Sequence, residues 1–352
     1  MTLIQHWPAP TAPRPVVIIG CGGIVRDAHL PAYRKAGLPV AACTDTDAAR
    51  ARALADDWDI PLVHADIATA VAVHGNTVVY DVAVPPGAIT QVLPHLPDGA
   101  AVLIQKPMGL DLDMARQIRA ICRDKQLKAA VNFQLRFAPM LMAARQLIAQ
   151  GRLGQLLELE VHLNILTPWH LFPFLIPLPR VEIAVHSVHY LDAIRALAGT
   201  PTGVFARTMA DPRQPDFAQT RTSVLLDFPA PLRGVMSINH NHQGGRQFQS
   251  AWLRVEGTQG AAMIKLGVCL DYPRGEPDEL WFCPLGGDWE QIALTGSWFI
   301  DAFMGPMRNL QRFAAGEDDH LFSGVEDAFH TMALVEACYV ATATPSVPLQ
   351  TD

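Results

Sequence analysis

The first third of the chain alternates short apolar runs with amphipathic stretches, and this rhythm predicts its architecture. Val16–Ile19, Val40–Thr44, Thr77–Val84, Ala101–Ile104 and Ala129–Phe133 are apolar nearly throughout, as strands covered on both faces are. Helical stretches fall between them: one reaching about Ala36, then Ala48–Asp57, Ala88–Leu96 and about Asp113–Leu127, with Asp113 as the expected N-cap. Strands separated by helices imply βαβ units and a parallel sheet.

The pattern changes after Arg136. Met140–Ala149 reads as a helix, Gly151–Gly154 as a turn, and Leu156–Ile165 nearly alternates. Further strands are expected around Gly203–Met209, Thr220–Phe228, Leu232–Asn239, Ala251–Glu256 and Ala261–Leu266, separated by Gly, Pro and Asp turns. Strands in succession without helices predict a mainly antiparallel sheet. Gly324–Ala343 is the last helix.

The first two strands frame a glycine-rich turn, Gly20-Cys21-Gly22-Gly23-Ile24-Val25, and the second ends at Asp45. Gly20 suits the tight turn, and Gly22 lets backbone approach a pyrophosphate held by the N–H groups of the helix start. Asp45 stands where a carboxylate accepts bonds from the adenosine ribose. Val25 takes the place of a third glycine. The order of strand, turn, helix, strand and acid predicts a dinucleotide site. At 352 residues the chain exceeds one compact core. The expected fold is therefore α/β: a Rossmann dinucleotide-binding domain over 1–130, then an α+β domain with a mainly antiparallel open sheet over 131–352.

The run 101–107, Ala-Val-Leu-Ile-Gln-Lys-Pro, adds chemistry to that frame. Lys106 follows the carboxyl end of a buried parallel strand, where ligands of open α/β sheets collect.

Composition narrows the function. Half the residues are hydrophobic, 17% are charged and the net charge is −7 with no basic run, which argues against nucleic acid or an anionic membrane as partner. Six scattered cysteines without a Cys-x-x-Cys suit a reducing compartment. Met1–Pro15 lacks the character of a signal peptide, and the apolar stretch Leu163–Pro179 is broken by four prolines and a histidine. A cytoplasmic location is expected.

The ordered motifs resemble the glucose–fructose oxidoreductase / inositol dehydrogenase (Gfo/Idh/MocA) family over nearly the whole chain. Gly20–Ile24 and Asp45-Thr46-Asp47 match its cofactor loop and second-strand acid, and Gln105-Lys106-Pro107 its Glu-Lys-Pro motif. Asn132–Phe137 and Gly151–Gly154 match its interdomain junction, and His189-Tyr190-Leu191-Asp192 its His-x-x-Asp helix. The resemblance implies NAD(P)-dependent oxidation or reduction of a sugar, cyclitol or related polyol by homodimers or homotetramers associating through the C-terminal sheet. It also implies a cofactor set of Gly20, Gly22, Gly23, Ile24, Asp45, Pro85, Gln105 and Lys106. NAD is the expected cofactor, because Asp45 favours a 2′-hydroxyl over a 2′-phosphate. NADP stays possible through Arg50 and Arg52 on the next helix.

On an α-helical projection of Glu182–Leu197, Glu182, His186, His189 and Asp192 share one face. Alcohol oxidation needs a base for the hydroxyl proton, which suits His189, while Lys106 stabilises the charge developing on the same oxygen. The family's acid four residues before that histidine is absent, Val185 standing there, and Gln105 replaces a glutamate. Glu182, His186 and Asp192 are the candidates to orient His189, with Asp192 favoured. Arg136, Trp169, His170, His186 and His240 are substrate candidates, beside Asn239, Arg246, Trp298 and Asp301. The Trp169-His170 stretch reads equally as a subunit contact. Glu182, His186 and His189 with His240-x-His242 also fit a zinc or manganese site, but hydride transfer needs no metal and none is expected. The alternative function is a non-catalytic NAD- and sugar-binding regulator of the same fold.

Overall fold

The computed structural model describes residues 3–350. Its helices are α1 Leu30–Ala36, α2 Ala48–Trp58, α3 Ile67–His74, α4 Ile89–Val92, α5 Leu112–Asp124, α6 Pro139–Ala149, α7 Val188–Ala198, α8 Met304–Ala315 and α9 Val325–Ala343. The chain divides into two compact units. One runs up to Ala143 and takes in Leu294–Met332; the other comprises Ala144–Ala293 and the residues from Ala333 on. Among the described residues no helix is long and apolar enough to cross a membrane.

The first unit is built on a parallel sheet in the order β3-β2-β1-β4-β5-β6. Its strands are β1 Val16–Ile19, β2 Val40–Thr44, β3 Leu62–Val63, β4 Val79–Val82, β5 Ala101–Ile104 and β6 Lys128–Val131. The order reverses direction between β1 and β4, which places a ligand crevice at the carboxyl ends of those strands. β1, β4 and β5 are buried at every position, hence their apolar sequences, which only Asp81 of β4 interrupts. Asp47, Asp66 and Asp111 cap α2, α3 and α5. The cap of α5 is thus Asp111, not Asp113. Asp111 is extended and accepts from Met114 N, while Asp113 sits inside the first turn, where its charge suits the helix dipole. Ala88–Leu96 is broken into short 3₁₀ and α turns, with Pro86 opening one 3₁₀ turn and Pro94 second in another.

The expected division at residue 130 follows the change in strand pattern; the contacts also draw Leu294–Met332 into the first unit. Met307, Leu310 and Ala314 of α8 join one core with Val16, Ile18, Leu103 and Ala130. The N-terminal segment straps this helix down. Trp7 Nε1 donates to Asp318 Oδ2 at 2.7 Å, its ring stacks on Phe322 at 5.6 Å, and Arg308 and Arg312 donate to the carbonyls of Trp7 and Ala9. Trp7→Ala removes that ring and leaves the Asp318 carboxylate one donor short. It is expected to cost about 2 kcal/mol and lower the first unit's melting temperature by several degrees in calorimetry. An unchanged melting temperature would show the strap to be idle.

The second unit carries a mainly antiparallel sheet in the order β14-β13-β12-β11-β7-β10-β9-β8. Its strands are β7 Leu156–Asn164, β8 Gly203–Met209, β9 Arg221–Asp227, β10 Arg233–Asn239, β11 Ser250–Gly257, β12 Gly260–Lys265, β13 Glu279–Pro284 and β14 Glu290–Ile292. β7 and β10 pair in parallel, and the other pairs are antiparallel. Along the strands, positions such as Val161, Val224, Met236, Leu253 and Ile264 are buried, and their neighbours open to the other face. One register row on that open face reads Phe205, Leu225, Val235, Glu160, Arg254, Met263 and Trp281.

Candidate functional site

In the first unit the expected cofactor residues gather along one edge of the sheet. Gly20 follows β1 with φ +98° and donates its N–H to Thr44 O at 2.9 Å. A Cβ there would stand 2.6 Å from Ala83 O, so the turn requires glycine. A Cβ on Gly22 would meet nothing within 4 Å, which leaves that backbone open to a ligand. The helix then begins as a wider π-turn, Val25–His29, with Val25 buried where the fingerprint has its third glycine.

Asp45 lies beside this loop. Its carboxylate accepts from Cys21 N at 2.7 Å and Asp47 N at 2.8 Å, and Arg50 stands 3.5 Å away. The Asp45 side chain is only 7% exposed, so it braces the loop as well as the turn after β2. Pro85 follows β4, and Gln105 and Lys106 follow β5, the next strand in the sheet. Gln105 Oε1 accepts from Lys106 N at 3.1 Å. Burial pushes the Lys106 ammonium down to about 8. An open glycine turn, an acid at the end of β2 and a cation past β5 fit a dinucleotide at the carboxyl ends of these strands.

Sequence reading missed a polar network inside this unit. His29 Nδ1 donates to Asp81 Oδ2 at 2.7 Å, Tyr33 donates to the same oxygen at 2.8 Å, and Asn132 Nδ2 donates to His29 Nε2 at 3.1 Å. His29 and Asp81 are wholly buried. Burial first, and then the Asp81 carboxylate beside it, pushes the Tyr33 phenol well up. The available signal was one acid within the run Val-Val-Tyr-Asp-Val. Arg136 is also internal: its guanidinium donates to Phe322 O and, at 2.8 Å, to Asp327. Asp301 is nearly buried and pairs with Lys35 at 2.5 Å.

In the second unit His189 and Asp192 lie one turn apart on α7, both buried. Glu182–Ser187 forms a π-turn ahead of that helix, which alters the phase of the expected polar face. Glu182 is fully buried; its Oε1 accepts from Ser187 Oγ at 2.7 Å and lies 3.4 Å from His240 Nε2. His240 also places Nδ1 2.8 Å from Thr167 Oγ1, and the His186 ring lies against it at 4.7 Å. Trp169 packs in a small core with Leu175, Val181 and Phe217, and its indole N–H donates to Asn241. Glu182, His186, His240 and Trp169 therefore cluster. His170 is exposed, Arg246 pairs with Asp271 and Glu276, and Asn239 donates to Asn164. Among the described residues no three His, Cys, Asp or Glu side chains group to hold a metal ion.

Comparison with known proteins gives these features a setting. Residues 14–133 match the model of an oxidoreductase family with an NAD-binding Rossmann fold, and residues 141–263 match the GFO/IDH/MocA C-terminal domain. D-xylose 1-dehydrogenase (NADP(+)) 2 of Haloferax volcanii is 27% identical over 217 residues, 60% of this chain and 65% of that protein. 1,5-Anhydro-D-fructose reductase of Ensifer adhaerens is 27% identical over 51% of this chain and 54% of its own. The chain thus spans less than two thirds of the length of these curated relatives. An oxidoreductase from Agrobacterium radiobacter, solved with NAD+, L-tartaric acid and magnesium, superposes with a TM-score of 0.78 at 20% identity. That match covers 94% of this chain and 97% of the other. Aldose-aldose oxidoreductase from Caulobacter crescentus, solved with glycerol, also gives 0.78 at 17% identity, over 94% and 98%. At these identities the superpositions establish the fold.

Proposed function

The chain belongs to the Gfo/Idh/MocA oxidoreductase family, and on that premise we propose an NAD(P)-dependent dehydrogenase acting on a hydroxyl or carbonyl of a sugar, cyclitol or related polyol. The observation that carries this reading is the single sheet edge holding the open glycine turn, Asp45 and Lys106. Two curated relatives are named for sugar substrates, one as a dehydrogenase and one as a reductase, which supports the enzyme over the regulator.

When bound, the nicotinamide accepts or returns hydride. The backbone at Gly22 and the start of the π-turn bind its pyrophosphate, and Asp45 receives the ribose while bracing Cys21. Lys106 donates to the reacting oxygen and stabilises its negative charge. His189 takes the hydroxyl proton on its imidazole, and Asp192, one turn along the same helix, orients the ring. NAD is the preferred cofactor, and the half-exposed Arg50 beside Asp45 is the group that would admit NADP.

Because burial lowers the Lys106 pKa to about 8, the ammonium loses its proton as pH rises through that value. Turnover is expected to fall across the same range. Lys106→Arg, whose charge persists, should lack that limb of the pH–rate profile, and an identical profile in both would remove Lys106 from the chemistry. A second copy of the chain is proposed to dock on the open face of the sheet, where Phe205 and Leu225 stand exposed. Phe205→Glu should then lower the molecular mass seen by light scattering, and an unchanged mass would place the contact elsewhere.

The direct test incubates protein and NAD with a panel of aldoses, cyclitols and sugar acids and follows NADH absorbance. Turnover of one class supports the reading. NADH binding with no turnover of any panel member, in either direction, would favour the regulator.

A further inference from the structure

Two strand ends and a π-turn assemble a chain of three polar side chains inside the second unit. β7 and β10 are parallel neighbours, with Asn164 paired to Asn239, so the residues after them leave the sheet together. There Thr167 N donates to His240 O at 3.0 Å, and His242 N to Ile165 O at 2.9 Å. The side chains meet as well. Thr167 Oγ1 lies 2.8 Å from His240 Nδ1, and the other ring nitrogen lies 3.4 Å from Glu182 Oε1. The His186 and Trp169 rings stand 4.7 and 5.8 Å from the His240 ring and confine it.

The chain runs outward: Glu182 is wholly buried, His240 is 2% exposed and Thr167 9%. Its hydrogen-bond polarity is set from the inner end. The Glu182 carboxylate only accepts, and it already accepts from Ser187 Oγ at 2.7 Å. The imidazole nitrogen that faces it, Nε2, is therefore the one that carries hydrogen, which leaves the lone pair on Nδ1. Nδ1 accepts, so the Thr167 hydroxyl spends its one hydrogen inward and keeps lone pairs on Oγ1. Neighbouring polar groups are spent on one another. Trp169 Nε1 donates to Asn241, Asn241 Nδ2 to Thr220, and Asn239 Nδ2 to Asn164.

We propose that Thr167 is a specificity residue that accepts a hydrogen bond from a neutral hydroxyl of the substrate, its polarity imposed by Glu182 through His240. The inference rests on the sugar or polyol reading above and narrows it. A hydroxyl brings the hydrogen that Thr167 lacks. A carboxylate or phosphate brings lone pairs to lone pairs, with a buried negative charge behind them. Arg180, two residues before Glu182, is held by Glu336 at 2.6 Å and does not offset that charge. The substrate is thus a neutral aldose, cyclitol or polyol, and sugar acids and sugar phosphates are refused. His240 and Glu182 are positioning residues, because they act on the substrate only through Thr167.

The test first reads the His240 ring by its nitrogen chemical shifts in NMR of the whole histidine-labelled chain, assigned by their loss in His240→Gln. The Nε2–H tautomer is expected, and Glu182→Gln should move the ring toward the Nδ1–H form. Initial rates with NAD are then compared for D-xylose, D-glucose and myo-inositol against D-xylonate, D-gluconate and D-glucuronate. The neutral compounds are expected to lead, with kcat/KM about tenfold or more above that of any acid. Thr167→Val should raise KM for the best neutral compound about tenfold with kcat within about twofold, and Thr167→Ser should restore it. An Nδ1–H or doubly protonated ring, a tautomer unmoved in Glu182→Gln, an unchanged KM in Thr167→Val, or acids turned over as well as neutral sugars overturns this assignment alone. Turnover of neither class overturns the sugar reading and the assignment together.

Discussion

Lys106→Ala is expected to lower turnover by about a hundred- to a thousand-fold while leaving NADH affinity within about twofold, the range seen when one preorganised charge at a reacting oxygen is lost. The expectation follows from its place. Lys106 stands past the carboxyl end of β5, in the strand order next to β4 and β1, whose ends carry Pro85 and the glycine turn. Its surroundings are dry enough to push the ammonium down to about 8, yet below that pH it remains charged. A cation in such a place acts on a developing oxyanion through little water, which is where an electrostatic contribution is largest. On the proposed function the loop and Asp45 anchor NADH, so its binding should survive. Loss of NADH binding with turnover per bound enzyme unchanged would make Lys106 a binding residue only.

Gly20→Ala has the second large expected effect, and it acts on both fold and cofactor. The backbone there has φ +98°, a region that costs an alanine on the order of 1–2 kcal/mol. The added methyl would also lie 2.6 Å from Ala83 O, backbone that cannot swing aside. The turn must open, so NADH affinity should fall more than about tenfold and the melting temperature should drop by several degrees. Gly22→Ala supplies the contrast. Its Cβ meets nothing within 4 Å, so the protein should melt as before while the methyl occupies the face a pyrophosphate needs. Equal melting losses in the two variants, or full NADH affinity in Gly22→Ala, would contradict this division.

The cofactor edge was legible in the sequence because its signals are local. β1 and β2 keep the bounds of their apolar runs, and the glycines and Asp45 sit at the fixed offsets that a βαβ unit imposes. The position of Lys106 just past β5 was legible for the same reason. What escaped depends on contacts far apart in sequence or on helix phase. Asp81 breaks no period within β4, and only the fold brings His29, Tyr33 and Asn132 around it. The polar face drawn over Glu182–Asp192 presumed α geometry, whereas the π-turn at Glu182–Ser187 directs Glu182 to His240. Trp169, which the sequence offered equally as a substrate residue or a subunit contact, packs against Phe217, a neighbour that only the fold supplies. α3, β13 and β14 carried no strong pattern, and α8 joins the first core through contacts that span most of the chain.

Calorimetric titration of nucleotide-free protein with NADH and, separately, NADPH tests the central claim most directly. Saturable binding of one NADH per chain, tighter than NADPH and weakened by Gly22→Ala, is the predicted result. Folded protein that binds neither nucleotide would contradict the cofactor site and the dehydrogenase with it.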